Sequence, residues 1–269
     1  MEEWSARLRS VEGELALKTV DYDERQHTVY AAGRAMPEAT RAIWMRVLAE
    51  QLPATRPLAI VDLGSGIGRL TPALATTFGG PVHGVEPSSK MREIAEAAGP
   101  HPGVDYRAGD AAHIPLEADA ADAVVMFLSF HHVPERAGAA IEIARVLRPG
   151  GRVLIHSGFA DRMASRPVWW HRFFPRALAI ELEMYPTTTA VAELFAPVGL
   201  KPLALVEAPA QIWLSVTDAV ERLRLRSIST FEHLTEAEIV EGFARLDAAV
   251  AAGTLPELAT GVRDLLVLG

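Results

Sequence analysis

From residue 58 onwards, short apolar runs alternate with longer stretches in which apolar positions recur every three or four residues. The runs at 58–62, 82–85, 104–107, 123–128 and 152–157 are bounded by Gly, Pro, Asp and Ser and are too short for helices. They predict strands buried on both faces. The segments near 69–78, 88–98 and 136–147 carry helical periodicity, and this alternation predicts a doubly wound, mainly parallel sheet. Upstream, residues 1–20 are weakly helical, and 21–36 is polar with embedded aromatics and arginines, a composition suited to folding over a cleft. Pro37 opens a helix over 38–52 with Ile43, Trp44, Val47 and Leu48 on one stripe, ended by Pro53 and Pro57.

The second half predicts a helix over 187–196 and strands at 200–207 and 263–268, which bring the sheet to seven strands. Between those strands lies a helical insertion at about 209–255, with helices over 217–226 and 235–252. The second opens with Thr235 and Glu238 in capping-box spacing. The expected organisation is an N-terminal helical lid over 1–57 and a sheet domain over 58–269 that carries the insertion.

Composition narrows the class. A chain of 269 residues, 49% hydrophobic, can bury a full α/β core. Its net charge of −8 and scattered Lys and Arg argue against a nucleic-acid partner. It has no cysteine, so disulfides, thiolate nucleophiles and Cys-based zinc sites are excluded. The opening residues are charged rather than apolar, and no run reaches the roughly 18 apolar residues of a membrane span. A cytoplasmic protein, monomeric or homodimeric and without a membrane partner, is expected.

Candidate chemistry concentrates after the first strand. Ile60 to Arg69 runs from apolar residues into Gly64, Gly66 and Gly68, and Glu86 closes the second strand. Glycine tolerates positive φ and lets backbone approach a ligand closely. A carboxylate ending the next strand suits a ribose diol, whose two hydroxyls donate to one acceptor. The combination describes a nucleoside cradle.

Several motifs in order then carry a resemblance: Val61-Asp62-Leu63-Gly64-Ser65-Gly66-Ile67-Gly68, Glu86, Gly109-Asp110-Ala111, Asp122 through Val133, and Arg145 to Gly151 with its Pro149-Gly150-Gly151 turn. Residues 59–155 resemble class I S-adenosylmethionine-dependent methyltransferases of the Rossmann-like fold, in particular the small-molecule branch of the ubiquinone and menaquinone biosynthesis type. The resemblance implies S-adenosylmethionine as cofactor and S-adenosylhomocysteine as product. It implies that Gly64, Ser65 and Gly66 approach the methionine and ribose, that Glu86, followed by Pro87 and Ser88, binds the 2′ and 3′ hydroxyls, and that Asp110 and Ala111 meet the adenine. Carbonyls near Phe127 and Leu128 would face the methionyl ammonium. Arg34, in Tyr30-Ala31-Ala32-Gly33-Arg34, would pair with the methionyl carboxylate, and Asp62 would serve the turn.

The expected reaction is in-line methyl transfer to a small organic molecule, with positioning as its main requirement. His131, His132 or His171 could supply a base. Tyr22, Phe130, Trp169, Trp170 and Tyr185 fall in segments expected to border the crevice and are expected to line an apolar acceptor pocket. No metal is expected, because the adjacent His131 and His132 have no third ligand at suitable spacing. Two alternatives stay open: a protein that binds S-adenosylmethionine without transferring its methyl group, and a nicotinamide-type oxidoreductase. The second calls for Gly-x-Gly-x-x-Gly, whereas here the third glycine is Gly68 and Arg69 follows it.

Overall fold

A computed structural model describes residues 20–210, 213–255 and 261–269, so the weak helix expected over 1–20 lies, but for its last position, outside the described residues. Seven strands form one sheet: β1 Leu58–Leu63, β2 Gly79–Glu86, β3 Val104–Ala108, β4 Ala121–Phe127, β5 Leu147–His156, β6 Pro202–Ala210 and β7 Gly261–Leu268. Their order is β3-β2-β1-β4-β5-β7-β6. Strands β1 to β5 run parallel, and β7 is antiparallel to both β5 and β6. The chain leaves β1 in one direction towards β3 and returns to its other side at β4. The carboxyl ends of β1, β2 and β4 therefore border a crevice at a topological switch point.

The helices are α1 His27–Gly33, α2 Glu38–Glu50, α3 Thr71–Phe78, α4 Ser89–Ala97, α5 Arg136–Val146, α6 Ala160–Met163, α7 Pro175–Met184, α8 Thr188–Phe195, α9 Val216–Arg224 and α10 Glu236–Ala251. Strand alternation divides the core in two. Val61, Leu63, Val124, Met126 and Ile155 pack under α5 and α8. Ile60, Val82, Val125 and Leu154 pack under α2 and α3 through Trp44, Leu48, Leu74 and Phe78. Helix α2, placed by the sequence in the lid segment 1–57, is thus a layer on the sheet, with Trp44 edge-on to Phe127 at 4.9 Å.

A third apolar cluster lies outside the sheet layers. Trp170, Phe173, Phe174, Ile180, Met184, Leu223, Phe231, Ile239 and Leu246 join α7, α9 and α10 into a cap. The sequence pattern locates the cap in the insertion alone, but half of it comes from 159–186, between β5 and α8. That half has short helical pieces whose periodicity is too brief to stand out. The capping box at Thr235 and Glu238 is formed, and it starts α10 one residue later than expected.

A π-helical turn, Tyr22–Gln26, continues into α1 and spans from sheet to cap. Asp23 accepts from the Ser88 hydroxyl and from the Lys90 backbone N–H at 3.1 Å, at the amino end of α4. Arg25 donates to the Arg226 carbonyl at 2.7 Å and pairs with Glu232 at 2.6 Å. Among the described residues of the 1–57 segment, this strap lies over the crevice while α2 lies on the sheet. No helix among the described residues is long and apolar enough to cross a membrane.

Candidate functional site

The turn after β1 is built by its glycines for two different reasons. Gly64, Gly66 and Gly68 have φ of 75°, 56° and 73°, a region L side chains rarely adopt. A Cβ on Gly64 would collide with Ser129, and one on Gly68 with Tyr106, so those two are also glycine for close packing. A Cβ on Gly66 would meet nothing within 4 Å. The open face of the turn is therefore at Gly66, where a ligand can reach the backbone.

Glu86 faces that opening. Its Oε2 accepts from the Gly66 N–H and its Oε1 from the Ser88 N–H, both at 2.9 Å, and the side chain is 7% exposed. Burial raises its carboxyl above the ordinary range, opposed by those two backbone donors. Each oxygen keeps a lone pair, as a carboxylate offers about four acceptor positions. Val85 fixes the other side of the turn, its carbonyl accepting from Gly64 N at 2.8 Å and Ser65 N at 3.2 Å.

Asp62 belongs to the scaffold. It is buried, accepts from Thr71 Oγ1 at 2.7 Å, and burial pushes its carboxyl up to about 6. Because this folded pKa is above the unfolded value near 3.9, the folded state binds the extra proton, and stability falls as pH rises through roughly 4 to 6. Asp62→Asn keeps an acceptor for Thr71 and removes the titration. Urea unfolding at pH 4 and pH 7 should show wild type losing about 2–3 kcal/mol more than the variant across that interval; equal losses would contradict the assignment.

At the end of β4, Leu128 has φ of 60°, strained for a residue with a Cβ, and its N–H donates to the His156 carbonyl at 2.8 Å. Ser129 Oγ donates to the Leu63 carbonyl at 2.7 Å, tying the ends of β4 and β1 together. Asp110 is committed in part to its own turn: Oδ1 accepts from Ala112 N and His113 N, both at 2.8 Å, leaving Oδ2 exposed beside buried Ala111.

Over the crevice stands a cluster of tyrosines and histidines. The Tyr22 hydroxyl lies 2.8 Å from His132 Nε2, the Tyr22 and Tyr30 rings meet edge-on, and His131 packs against both His132 and Tyr185. Burial, reinforced by Arg34, lowers His132 to about 4, so it is neutral and accepts from Tyr22. Burial also lowers His131 and raises Tyr185 and Tyr22. For Tyr30 the opposing effect of Arg69 and Arg34 outweighs burial and holds the phenol below its usual value. Arg69 donates to the Arg34 carbonyl at 2.7 Å and lies over the Tyr30 ring.

Three expected site residues lie elsewhere. Phe130 is fully buried under the sheet against Phe195, because its 3₁₀ turn rotates it into the α5–α8 layer. Trp170 stacks on Phe231 inside the cap core at 5.5 Å. His171 is bound through Nε2 to Glu181 Oε2 at 2.9 Å, and Glu181 also accepts from Thr230, which makes the pair a buried cross-link within the cap. Trp169, one residue before, does reach the cleft: it lines a cavity of about 60 Å³ between sheet and cap.

That cavity is walled by Met36, Trp44, Phe127, Leu128, Trp213 and Ile228, with Arg34, Arg69, Arg222, Arg263 and His156 among its polar residues. His156 donates through its Nδ1–H to the Asp264 carbonyl, 2.9 Å away, and burial lowers its pKa to about 3. The sequence reading passed over Arg69, His156, Ser227 and Arg263. Arg69 alone had a sequence signal, since it follows the glycine turn directly.

Residues 61–155 match the family described as a methyltransferase domain. Over 186 residues the chain is 30% identical to the methyltransferase GfsG of Streptomyces halstedii, covering 66% of this chain and 61% of that one. It is 28% identical to a demethylmenaquinone methyltransferase of Lactiplantibacillus plantarum, covering 61% and 70%. In the first of these pairs, then, the chain spans less than two thirds of its relative. A crystal structure of a putative methyltransferase from an antibiotic biosynthesis pathway of Anabaena variabilis superposes with a TM-score of 0.70 at 20% identity, over 87% of this chain and 98% of the other, a likeness of fold.

Proposed function

We propose that the chain is a class I S-adenosylmethionine-dependent methyltransferase that methylates a small organic molecule held between the sheet and the cap, a reading supported by the methyltransferase-domain match over residues 61–155 and by the likeness to methyltransferases over about two thirds of the chain. The observation that carries the reading is the pairing of Glu86 with Gly66: a buried carboxylate with spare lone pairs stands beside the one glycine of the turn whose missing side chain leaves open space. These residues fit an adenosyl cofactor. Bound there, S-adenosylmethionine would supply a sulfonium methyl group, which passes to the acceptor atom as the carbon–sulfur bond breaks and its electron pair stays on sulfur.

The protein's part is binding, orientation and exclusion of water. Glu86 accepts from the ribose hydroxyls, Oδ2 of Asp110 is available to the adenine amino group, and Arg34, at the end of α1, pairs with the methionyl carboxylate. The carbonyls at Phe127 and Leu128 receive the ammonium. Tyr22, Tyr30 and Tyr185 enclose the crevice with ring faces that favour a sulfonium cation. His131 and His132 are neutral; the His132 Nε2 lone pair is taken by Tyr22, which leaves His131, whose Nδ1 has no hydrogen-bond partner, to accept a proton from the acceptor where one must leave. The strap over the crevice keeps the site dry.

Purified protein incubated with tritiated-methyl S-adenosylmethionine and a panel of small phenols, carboxylic acids and quinones tests the reading. Label in an organic product is the expected result. Cofactor binding with no transfer to any member would favour a protein that uses the cofactor without spending its methyl group, and absence of cofactor binding would refute both.

A further inference from the structure

We propose that the acceptor is an oxyanion, a carboxylate or phosphate on a small apolar body, and that Arg263, Ser227 and the Trp169 indole in the cavity beneath the cap receive it. This rests on the methyltransferase reading, since it names the class of molecule that takes the methyl group.

The cavity offers donors and lacks acids. None of its lining residues is Asp or Glu, while four are arginines. Two of these cations are engaged within the protein: Arg69 by the Arg34 carbonyl, and Arg222 by Asp218 and the Ala35 carbonyl, both at 2.6 Å. Arg34 is assigned above to the cofactor. Arg263 is different. Among the described residues its only hydrogen bond is to the neighbouring Val262 carbonyl, at 3.3 Å.

Strand geometry explains why the neighbouring acid forms no ion pair with it. Successive side chains of β7 point to opposite faces. Asp264 therefore turns away from the cavity, where it takes Arg166 at 3.0 Å and Arg162 at 3.4 Å. Arg263 is left on the cavity face. Burial, with Arg34 close by, works against its charge and lowers its pKa, an effect that the more distant carboxylates of Asp264 and Glu181 oppose without outweighing. A half-buried guanidinium with no carboxylate in ion-pair contact is costly, and a bound anion would relieve that cost.

Two further polar groups point the same way. The Ser227 hydroxyl and the Trp169 indole nitrogen are both buried, both line the cavity, and neither has a hydrogen-bond partner. Ser227 is 4% exposed. Gly33 has to be glycine because a Cβ there would collide with this serine, so the hydroxyl is held in place by close packing with α1. Indole and guanidinium can only donate, which selects a ligand group rich in lone pairs. An ammonium would find no acidic partner among the lining side chains. Trp44, Trp213, Phe127 and Ile228 complete the walls and call for an apolar body.

The test uses full-length protein saturated with S-adenosylhomocysteine and titrated calorimetrically with benzoate, phenyl phosphate and the uncharged benzamide. At least one anion should bind about tenfold or more tightly than benzamide, as a charge-assisted contact requires. The tighter of the two anions identifies the headgroup. Arg263→Gln should remove that preference, and Ser227→Ala should weaken the anion about threefold or more; neither should change affinity for S-adenosylhomocysteine or benzamide. Ser227→Ala should melt no lower than wild type, because it deletes a buried hydroxyl that has no partner.

Equal binding of the three probes, or binding of none, would overturn the proposal. So would loss of S-adenosylhomocysteine affinity in Arg263→Gln, which would place that arginine on the cofactor. Failure of wild type to bind S-adenosylhomocysteine at all would instead strike the methyltransferase reading.

Discussion

Glu86→Ala lowers affinity for S-adenosylhomocysteine by about 1.5–3 kcal/mol, or roughly 10- to 150-fold in Kd, when measured by calorimetry near neutral pH. The carboxylate would give its spare lone pairs to the two ribose hydroxyls, and it also anchors the Gly66 and Ser88 N–H groups that shape the walls of the crevice. Both contributions vanish with the side chain. Glu86→Gln separates them only partly, since its amide NH₂ would face one of those two backbone donors and leave it unpaired. The glutamine variant should therefore bind weakly as well, rather than recover as a shape-matched neutral replacement would. Wild-type affinity in the alanine variant would remove the ribose role and the strongest support for the cofactor site.

Trp170→Ala is expected to give the largest loss of stability and to leave the cofactor site nearly intact. The side chain is 2% exposed and packs against Phe174 and Phe231 at the centre of the cap cluster. Truncating a buried tryptophan costs about 3–5 kcal/mol. For a chain of this size that corresponds to a fall in melting temperature of roughly 6–20 °C, read by calorimetry. Because the ring faces the cap core and the glycine turn lies at the carboxyl end of β1, S-adenosylhomocysteine affinity at low temperature should stay within about threefold of wild type. A large loss of cofactor affinity with unchanged melting would put Trp170 in the crevice, where the sequence reading had placed it.

The contrast between these two residues shows what was legible. Glu86 sits at the end of an apolar run, a fixed distance beyond a glycine turn, and both features are local. Trp170 sits in the aromatic run from Trp169 to Phe174, and a run of rings does not reveal which of them faces inward. A 3₁₀ turn sends Trp169 to the cavity and Trp170 and His171 into the cap. Phe130 follows the same logic: it lies beside the two crevice histidines in sequence and is rotated under the sheet in space. Arg263 and Ser227 carried no signal, because their importance arises from missing partners, and partners are a property of the packed chain.

By itself, the amino-acid sequence determined the parallel sheet, the glycine turn and the carboxylate beside it. Strand length, hydrophobic period and the backbone freedom of glycine act over a few neighbouring residues and need no distant contact. Tertiary structure alone decided that 159–186 joins the later insertion in one cap, that α2 lies on the sheet, and which aromatic and cationic side chains reach the cleft. Those outcomes depend on surfaces far apart in the chain: Ser227 against Gly33, Tyr22 on His132, and Arg263 turned away from the arginines that hold its neighbour Asp264. A side chain's orientation across such contacts is set by which opposing surfaces can be closely packed, and no local pattern encodes that.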